Sequence, residues 1–194
     1  QDMHATRARQ HLAGGQYERA ILDGRRALDF DPRDIESNRT IAKAYEAQGS
    51  IEAIPWRARL NILKPGDPEN SLSWARSAIK AGDFEIASDA LDTLKPADRT
   101  GADYHDFTAQ IAMSRQDFAK AEEHWTLALR SDPNSDALKL KLASVQIRSP
   151  NADTRKAGVA ALESLSTGPK HAIPALRLLI EDAMNRELHD RALE

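Results

Sequence analysis

Alanine recurs along this chain at intervals of 33 to 36 residues, and no other feature restricts its fold as strongly. One series has spacings of 34, 33, 34 and 34 residues and consists of Ala8, Ala42, Ala75, Ala109 and Ala143. A second has spacings of 33, 34, 34, 36 and 35 residues and consists of Ala20, Ala53, Ala87, Ala121, Ala157 and Ala192. Such a period indicates a repeat array, in which each copy is one supersecondary unit stacked on the next.

Each copy carries the signals of two helices joined by a tight turn. Apolar residues in IASDALDTL and AKAEEHWTLAL recur at three- and four-residue spacing, which is typical of amphipathic helices. Glycine permits the turn between them at Gly15, Gly49 and Gly82, and Gln116 stands in the equivalent place of the fourth copy. A proline ends the second helix because it lacks an N–H; this series is Pro32, Pro65, Pro96 and Pro133.

The spacing G-x-Y-x-x-A-x-x-x-x-x-x-A-L-x-x-x-P resembles that of the tetratricopeptide repeat. It is carried in the first copy by Gly15, Tyr17, Ala20, Ala27, Leu28 and Pro32. The resemblance covers almost the whole chain. It implies an all-α fold of antiparallel helix pairs, A and B, stacked into a right-handed superhelical solenoid whose A helices line the concave face.

We predict a single array of about five and a half repeats over residues 1–194. Its boundaries fall at about 2–32, 34–65, 68–96, 101–133 and 135–168, with a partial copy at 171–194. Repeat 2 has Pro55 within its second helix, where we expect a mild kink. Repeat 3 has a short second helix that ends in LKPADRTG, and repeat 5 replaces the glycine–aromatic turn with RSPNADTRKAG.

Composition and motifs argue against catalysis and against nucleic-acid binding. The chain has no cysteine and contains no phosphate-binding glycine loop, zinc-protease motif, nucleophile elbow or calcium loop, so we predict neither an enzyme nor a cofactor. No two of its six histidines lie one helical turn apart, which disfavours a metal site. A net charge of −3 and a pI near 6.1 disfavour a nucleic-acid partner.

The A helices supply the candidate binding residues. Residues three or four apart share one helix face, and by the resemblance the inward face carries a basic stripe of Arg9, Arg39, Lys43, Arg76 and Lys80, followed by Gln110 and Met113. The alternative is that these cations only solvate a helix face and pair with Glu36, Glu46 and Glu69. The residues with which some family members hold a C-terminal carboxylate are absent, because Ala5, Arg9, Thr40, Glu69 and Ser73 stand in their places. We expect Trp56, Trp74 and Trp125 to pack between helices.

Three hypotheses follow. The leading one is a non-catalytic scaffold that binds a partner peptide or helix along the concave groove, with an acidic segment suited to the basic stripe. The second is a self-associating or spacer module of a larger protein, as a monomer or weak homo-oligomer. The third is the substrate-recruiting part of a longer enzyme.

The sequence does not determine the cellular compartment of the protein. No apolar run approaches the length of about 20 residues that spans a bilayer, so we predict no membrane insertion of this segment. Divergent, loosely patterned copies favour a bacterial protein, and we expect a longer parent that is tethered to a membrane or periplasmic.

Overall fold

The protein is all-α over the part of the chain that the structure describes. The computed structural model describes the backbone of residues 3–193 and the side chains of residues 3–187. Its helices are α1 Met3–Ala13, α2 Tyr17–Phe30, α3 Ile35–Ala47, α4 Ala53–Leu63, α5 Pro68–Ala81, α6 Phe84–Asp92, α7 Ala102–Ser114, α8 Phe118–Ser131, α9 Asp136–Gln146, α10 Ala152–Ser166 and α11 Ala172–Leu193, with a short 3₁₀ turn at Pro96–Asp98.

These helices form two compact units, Gln1–Arg99 and Thr100–Glu194. In the first unit α1 packs on α2, α3 on α4 and α5 on α6. In the second, α7 packs on α8, α9 on α10, and α11 on α10. The predicted helix pairs are therefore confirmed, whereas a single continuous array over both units stays a prediction.

The first alanine series lies in the closely packed interior between helices. Ala8, Ala42, Ala75, Ala109 and Ala143 each lie on the first helix of a pair, and all five are 0% exposed. Ala20, Ala53, Ala87 and Ala121 of the second series are equally buried. A larger side chain at any of these places would meet a close-packed interior that has no room for it.

The fifth repeat departs from the second series. Ala157 is exposed, and the buried small residue of α10 is Gly158, one position later. A Cβ built on Gly158 would lie 2.8 Å from the backbone nitrogen of Ile147 and 2.9 Å from Cβ of Gln146. The predicted assignment of Ala157 is therefore wrong: the buried Gly158 follows Ala143 by 15 residues, whereas in the other copies the second buried alanine follows the first by 11 or 12 residues.

The turns between paired helices share one backbone conformation. Gly15, Gly49 and Gly82 have φ of +70°, +67° and +79°. Gln116 adopts φ +59° at the corresponding place and is the only described non-glycine residue with a positive φ. The equivalence predicted for Gln116 is thus confirmed. Its backbone adopts the left-handed conformation, which costs an L-residue about 1–2 kcal/mol of free energy.

Proline acts as predicted at three of the second helices, whereas α6 ends at Asp92, four residues before Pro96, which begins the 3₁₀ turn. α2, α4 and α8 end two residues before Pro32, Pro65 and Pro133. The short second helix of repeat 3 is confirmed as α6, with nine residues. Pro55 is the third residue of α4, within its first turn, so its missing N–H removes no intrahelical hydrogen bond and gives no reason for the expected kink.

Replacing Gly158 by alanine tests the packing of α10 on α9. We expect the free energy of unfolding to fall by about 1–2 kcal/mol, because the new methyl group meets backbone atoms that cannot rotate away. Chemical denaturation would measure this. The matched control is Ala157→Ser on the exposed neighbour, which should stay within about 0.5 kcal/mol of the original protein. A Gly158→Ala protein that is as stable as its parent would contradict the close approach.

Replacing Gln116 by glycine tests the left-handed turn. We expect the free energy of unfolding to rise by about 0.5–1 kcal/mol, since glycine removes the Cβ penalty but loses more chain entropy. The reciprocal change Gly82→Gln should lower it by a similar amount. If both variants shifted the denaturation midpoint in the same direction, the two turns would not be equivalent.

Candidate partner-binding surface

A buried arginine ties three helices of the first unit together. Arg57 of α4 is 1% exposed. Its Nε donates to Oε1 of Glu46 at 2.7 Å and its Nη2 donates to Oε2 at 2.7 Å, which is a two-point contact with one carboxylate of α3. Its Nη1 donates to Oδ1 of Asn70 on α5 at 3.2 Å, and the Asn70 side chain donates back to the Arg57 carbonyl at 3.0 Å. We call Arg57, Glu46 and Asn70 the buried network.

The buried network continues to the protein surface through Glu46. Ser77 of α5 donates to Oε1 of Glu46 at 3.2 Å. Glu46 is 25% exposed, and it lines a cleft of ≈ 300 Å³ together with Ser77, Arg76 and Lys80. The carboxylate is already satisfied by Arg57 and Ser77, so its charge is compensated within the protein. Two exposed cations of α5, Arg76 and Lys80, line the cleft beside this carboxylate.

Two cations of the predicted basic stripe, Arg39 and Lys43, take part in ion pairs within the first unit. Arg39 is held by Glu36 on its own helix, and its Nη2 lies 3.5 Å from Oδ2 of Asp67 before α5. Lys43 lies 3.4 Å from Oε1 of Glu69. Arg39 and Lys43 therefore connect α3 to the start of α5. Of the three acidic partners proposed in the alternative, Glu36 and Glu69 pair with the stripe, whereas Glu46 pairs with Arg57.

Asp67 shows the electrostatic effect of these pairs. Partial burial by itself raises the pKa of the Asp67 carboxyl. The hydrogen bond and charge of Lys64, a backbone N–H at Asn70 and the charge of Arg39 outweigh burial and lower that pKa below its usual value. Asp67 is therefore ionised over the physiological range, with Lys64 at 3.0 Å as its nearer counter-ion and Arg39 at 3.5 Å as the second.

Arg9 lies apart from the other cations. It lines a second cleft of ≈ 250 Å³ with Phe30, Asp34 and Glu36, and its Nη2 donates to Thr6 at 3.4 Å. The first unit therefore has a mixed acidic and apolar cleft at one end and the Arg76–Lys80 cleft near the ends of α3 and α5.

Gln110 and Met113 belong to the second unit. Gln110 donates to Oδ2 of Asp106 at 3.1 Å, and Met113 packs against the apolar core around Trp125. Asp106 also receives hydrogen bonds from Trp125 Nε1 at 2.8 Å and from Lys141 Nζ at 2.7 Å. Trp125 is buried, as predicted, and both predicted site residues take part in internal packing of their unit.

The second unit also contains a histidine pair that the sequence did not indicate. Nδ1 of His105 on α7 lies 3.0 Å from Nδ1 of His124 on α8. Residues 19 apart meet across a helix pair, as they also do at His4–Asp23 and Asp106–Trp125. A spacing of 19 residues places two side chains on no common face of a single helix, so the sequence pattern does not reveal this contact between helices. Within the described residues no three metal-binding side chains converge, and no helix is long and apolar enough to cross a bilayer.

Burial and charge together favour neutral histidines at this pair. Burial lowers the pKa of His105, opposed by the nearby Glu123 carboxylate. Burial and the charge of His105 lower the pKa of His124; Lys120 adds to this and Glu123 opposes it. Two imidazoles in hydrogen-bond contact can share one proton only while at least one of them is uncharged.

The histidine pair predicts a loss of stability in acid. Below the usual histidine pKa of about 6.5, the unfolded chain binds more protons than the folded chain, so the free energy of unfolding falls as the pH is lowered through that value. Denaturation at pH 7.5 and pH 5.5 should show a smaller difference in His124→Gln than in the original protein. His171→Gln, at a histidine outside the pair, is the control and should keep the full difference. An undiminished difference in His124→Gln would rule out this origin.

Comparison with known proteins places the fold. No family model and no curated protein sequence matches the chain. The solved structure of residues 41 to the end of MamA from Desulfovibrio magneticus RS-1 has a TM-score of 0.74 at 16% identity, covering 84% of this chain and 90% of that one. PilF of Pseudomonas aeruginosa has a TM-score of 0.68 at 18% identity, covering 98% and 86%.

A third similar structure is that of a protein named for the tetratricopeptide repeat. It is a tetratricopeptide repeat protein from Parabacteroides merdae ATCC 43184, with a TM-score of 0.69 at 16% identity over 97% of this chain and 73% of that one. The helix pairs of this chain, with a period near 34 residues, agree with the helix-turn-helix unit of that repeat. The chain has the all-α fold of tetratricopeptide repeat proteins.

Proposed function

We propose that this protein is a non-catalytic scaffold that binds an acidic peptide or helix of a partner protein on the first unit. The observation that carries the proposal is the cleft of ≈ 300 Å³ in which Arg76 and Lys80, one helical turn apart on α5, flank the satisfied carboxylate of Glu46. Repeat arrays generally use their extended surfaces for binding, and the fold supports this class of function in general.

The cleft favours a partner with an acidic side chain next to an apolar one. Ile51 on the cleft wall is 65% exposed and offers an apolar contact beside the two cations. A carboxylate that entered between Arg76 and Lys80 would gain charge-assisted hydrogen bonds, while a neighbouring aliphatic group would cover Ile51. Arg39 and Lys43 contribute to the positive field but keep their internal partners.

Charge reversal at the cleft tests the proposal. The protein and an Arg76→Glu/Lys80→Glu variant would be immobilised and exposed to a lysate, and captured proteins identified by mass spectrometry. The matched control is Arg19→Glu/Lys95→Glu, which changes the charge equally at exposed positions outside the cleft. Circular dichroism would confirm that all three remain folded.

We expect the original protein and the control variant to capture the same partner protein. The Arg76→Glu/Lys80→Glu variant should not capture it. For that partner in purified form, reversal at the cleft should weaken binding at least about ten-fold, and added salt should weaken the original complex. Equal retention by both variants would exclude the cleft as the binding site. The scaffold function itself would fail if the original protein retained nothing specifically.

A further inference from the structure

One face of α11 presents four apolar side chains to solvent. Ile173, Leu176, Ile180 and Met184 are 74%, 46%, 58% and 59% exposed. Their spacings of three, four and four residues place them in one stripe along the helix. Contiguous exposed apolar surface of this kind marks an interaction site more often than isolated apolar residues do.

The orientation of this stripe is fixed by the opposite side of the helix. Ala175 is 0% exposed, and Leu178 and Leu179 pack with it against the core formed by α9 and α10. Ala175 and Leu178 lie on the side of α11 opposite the stripe, whereas Leu179, one turn from Leu176, borders it. The helix therefore cannot turn the stripe inwards without giving up its own contacts with the second unit.

Four charged side chains accompany the stripe. Arg177 and Glu181 lie four residues apart along one flank, and Lys170 and Glu187 lie near its two ends. All four are exposed, and the described residues include no ion-pair partner for any of them. Asp182 and Arg186, by contrast, pair with each other at 2.7 Å on another side of the helix.

We propose that this stripe is the contact surface for a second copy of the chain, with two α11 helices packed antiparallel about a two-fold axis. A register centred between Leu178 and Leu179 places Ile173 level with Met184 of the second copy, so the apolar stripes coincide.

The flanking charges match in this arrangement. When two helices pack antiparallel, equivalent flanks face each other. Arg177 then lies beside Glu181 of the second copy, and the two-fold axis repeats the pair. In a parallel two-fold pair the equivalent flanks lie on opposite sides of the contact, so Arg177 would not meet Glu181 of the second copy; only the antiparallel arrangement forms this ion pair.

The size of the contact sets its strength. A stripe of four side chains buries less surface than the roughly 1,200 Å² of a standard stable interface. We therefore expect a weak, reversible dimer with a Kd on the order of 100 µM. This surface lies on the second unit and is independent of the proposed cleft on the first, so either proposal can fail without the other.

Analytical ultracentrifugation from about 10 µM to about 1 mM tests the dimer. The original protein should show concentration-dependent dimerisation, which Ile180→Ser should weaken at least about ten-fold. The matched control is Ile62→Ser, at an apolar side chain of α4 that is 77% exposed, and it should dimerise like the original. A protein that stays monomeric up to the highest concentration would overturn the proposal, as would equal dimerisation of Ile180→Ser.

Charge variants test the register. Arg177→Glu leaves two glutamates facing two glutamates, and Glu181→Arg leaves two arginines facing two arginines, so each variant alone should dimerise at least about ten-fold more weakly than the original. Mixed in equal amounts, the two variants present opposite charges and should form a heterodimer at least as readily as the original forms its dimer. A variant that dimerised weakly because it was misfolded would not regain dimerisation on mixing, so formation of the heterodimer distinguishes charge repulsion from a folding defect. Absence of the heterodimer, or unchanged dimerisation of either variant alone, would overturn the antiparallel arrangement.

Discussion

The contact between Arg57 and Glu46 is the constraint on which the first unit depends most. A guanidinium that is almost wholly removed from water needs a carboxylate and further acceptors in good geometry, because desolvation of an unpaired charge is very costly. Glu46 supplies both oxygens, and Asn70 supplies another acceptor. Each partner lies on a different helix, so satisfying this single cation fixes α3, α4 and α5 relative to one another. Ser77, bonded to the same carboxylate, carries that constraint to the cleft.

Two kinds of interaction thus organise the chain. The buried alanines are repeated in each copy and determine how closely the helices of a pair can approach. Two of the polar contacts are not repeated: Arg57 with Glu46 in the first unit and Lys141 with Asp106 in the second differ in residue type and in position within the repeat. Periodic apolar contacts produce the common architecture, whereas single polar contacts give each part of it a distinct surface.

This difference explains what could be predicted from sequence. The period of the alanines, together with glycine and proline, was sufficient for the fold, and even Gln116 was identified by its place in the turn series. Arg57 was not identified, because a buried arginine and an exposed one look alike in sequence until the helices that surround it are known. His105 and His124 were missed since their contact arises between helices. Gly158 was missed because a loop of altered length moved the register by one residue, and a fixed period cannot show such a shift.

Lys80 lies in the last turn of α5, where backbone carbonyl groups without intrahelical partners give the helix end a partial negative charge. Its ammonium group therefore compensates the helix terminus before any partner arrives. A carboxylate bound at the proposed cleft would have to share this cation with the helix end and would itself lie close to negative potential. Binding at the cleft and the stability of the last turn of α5 are therefore coupled. Fraying of that turn would favour release of a bound segment.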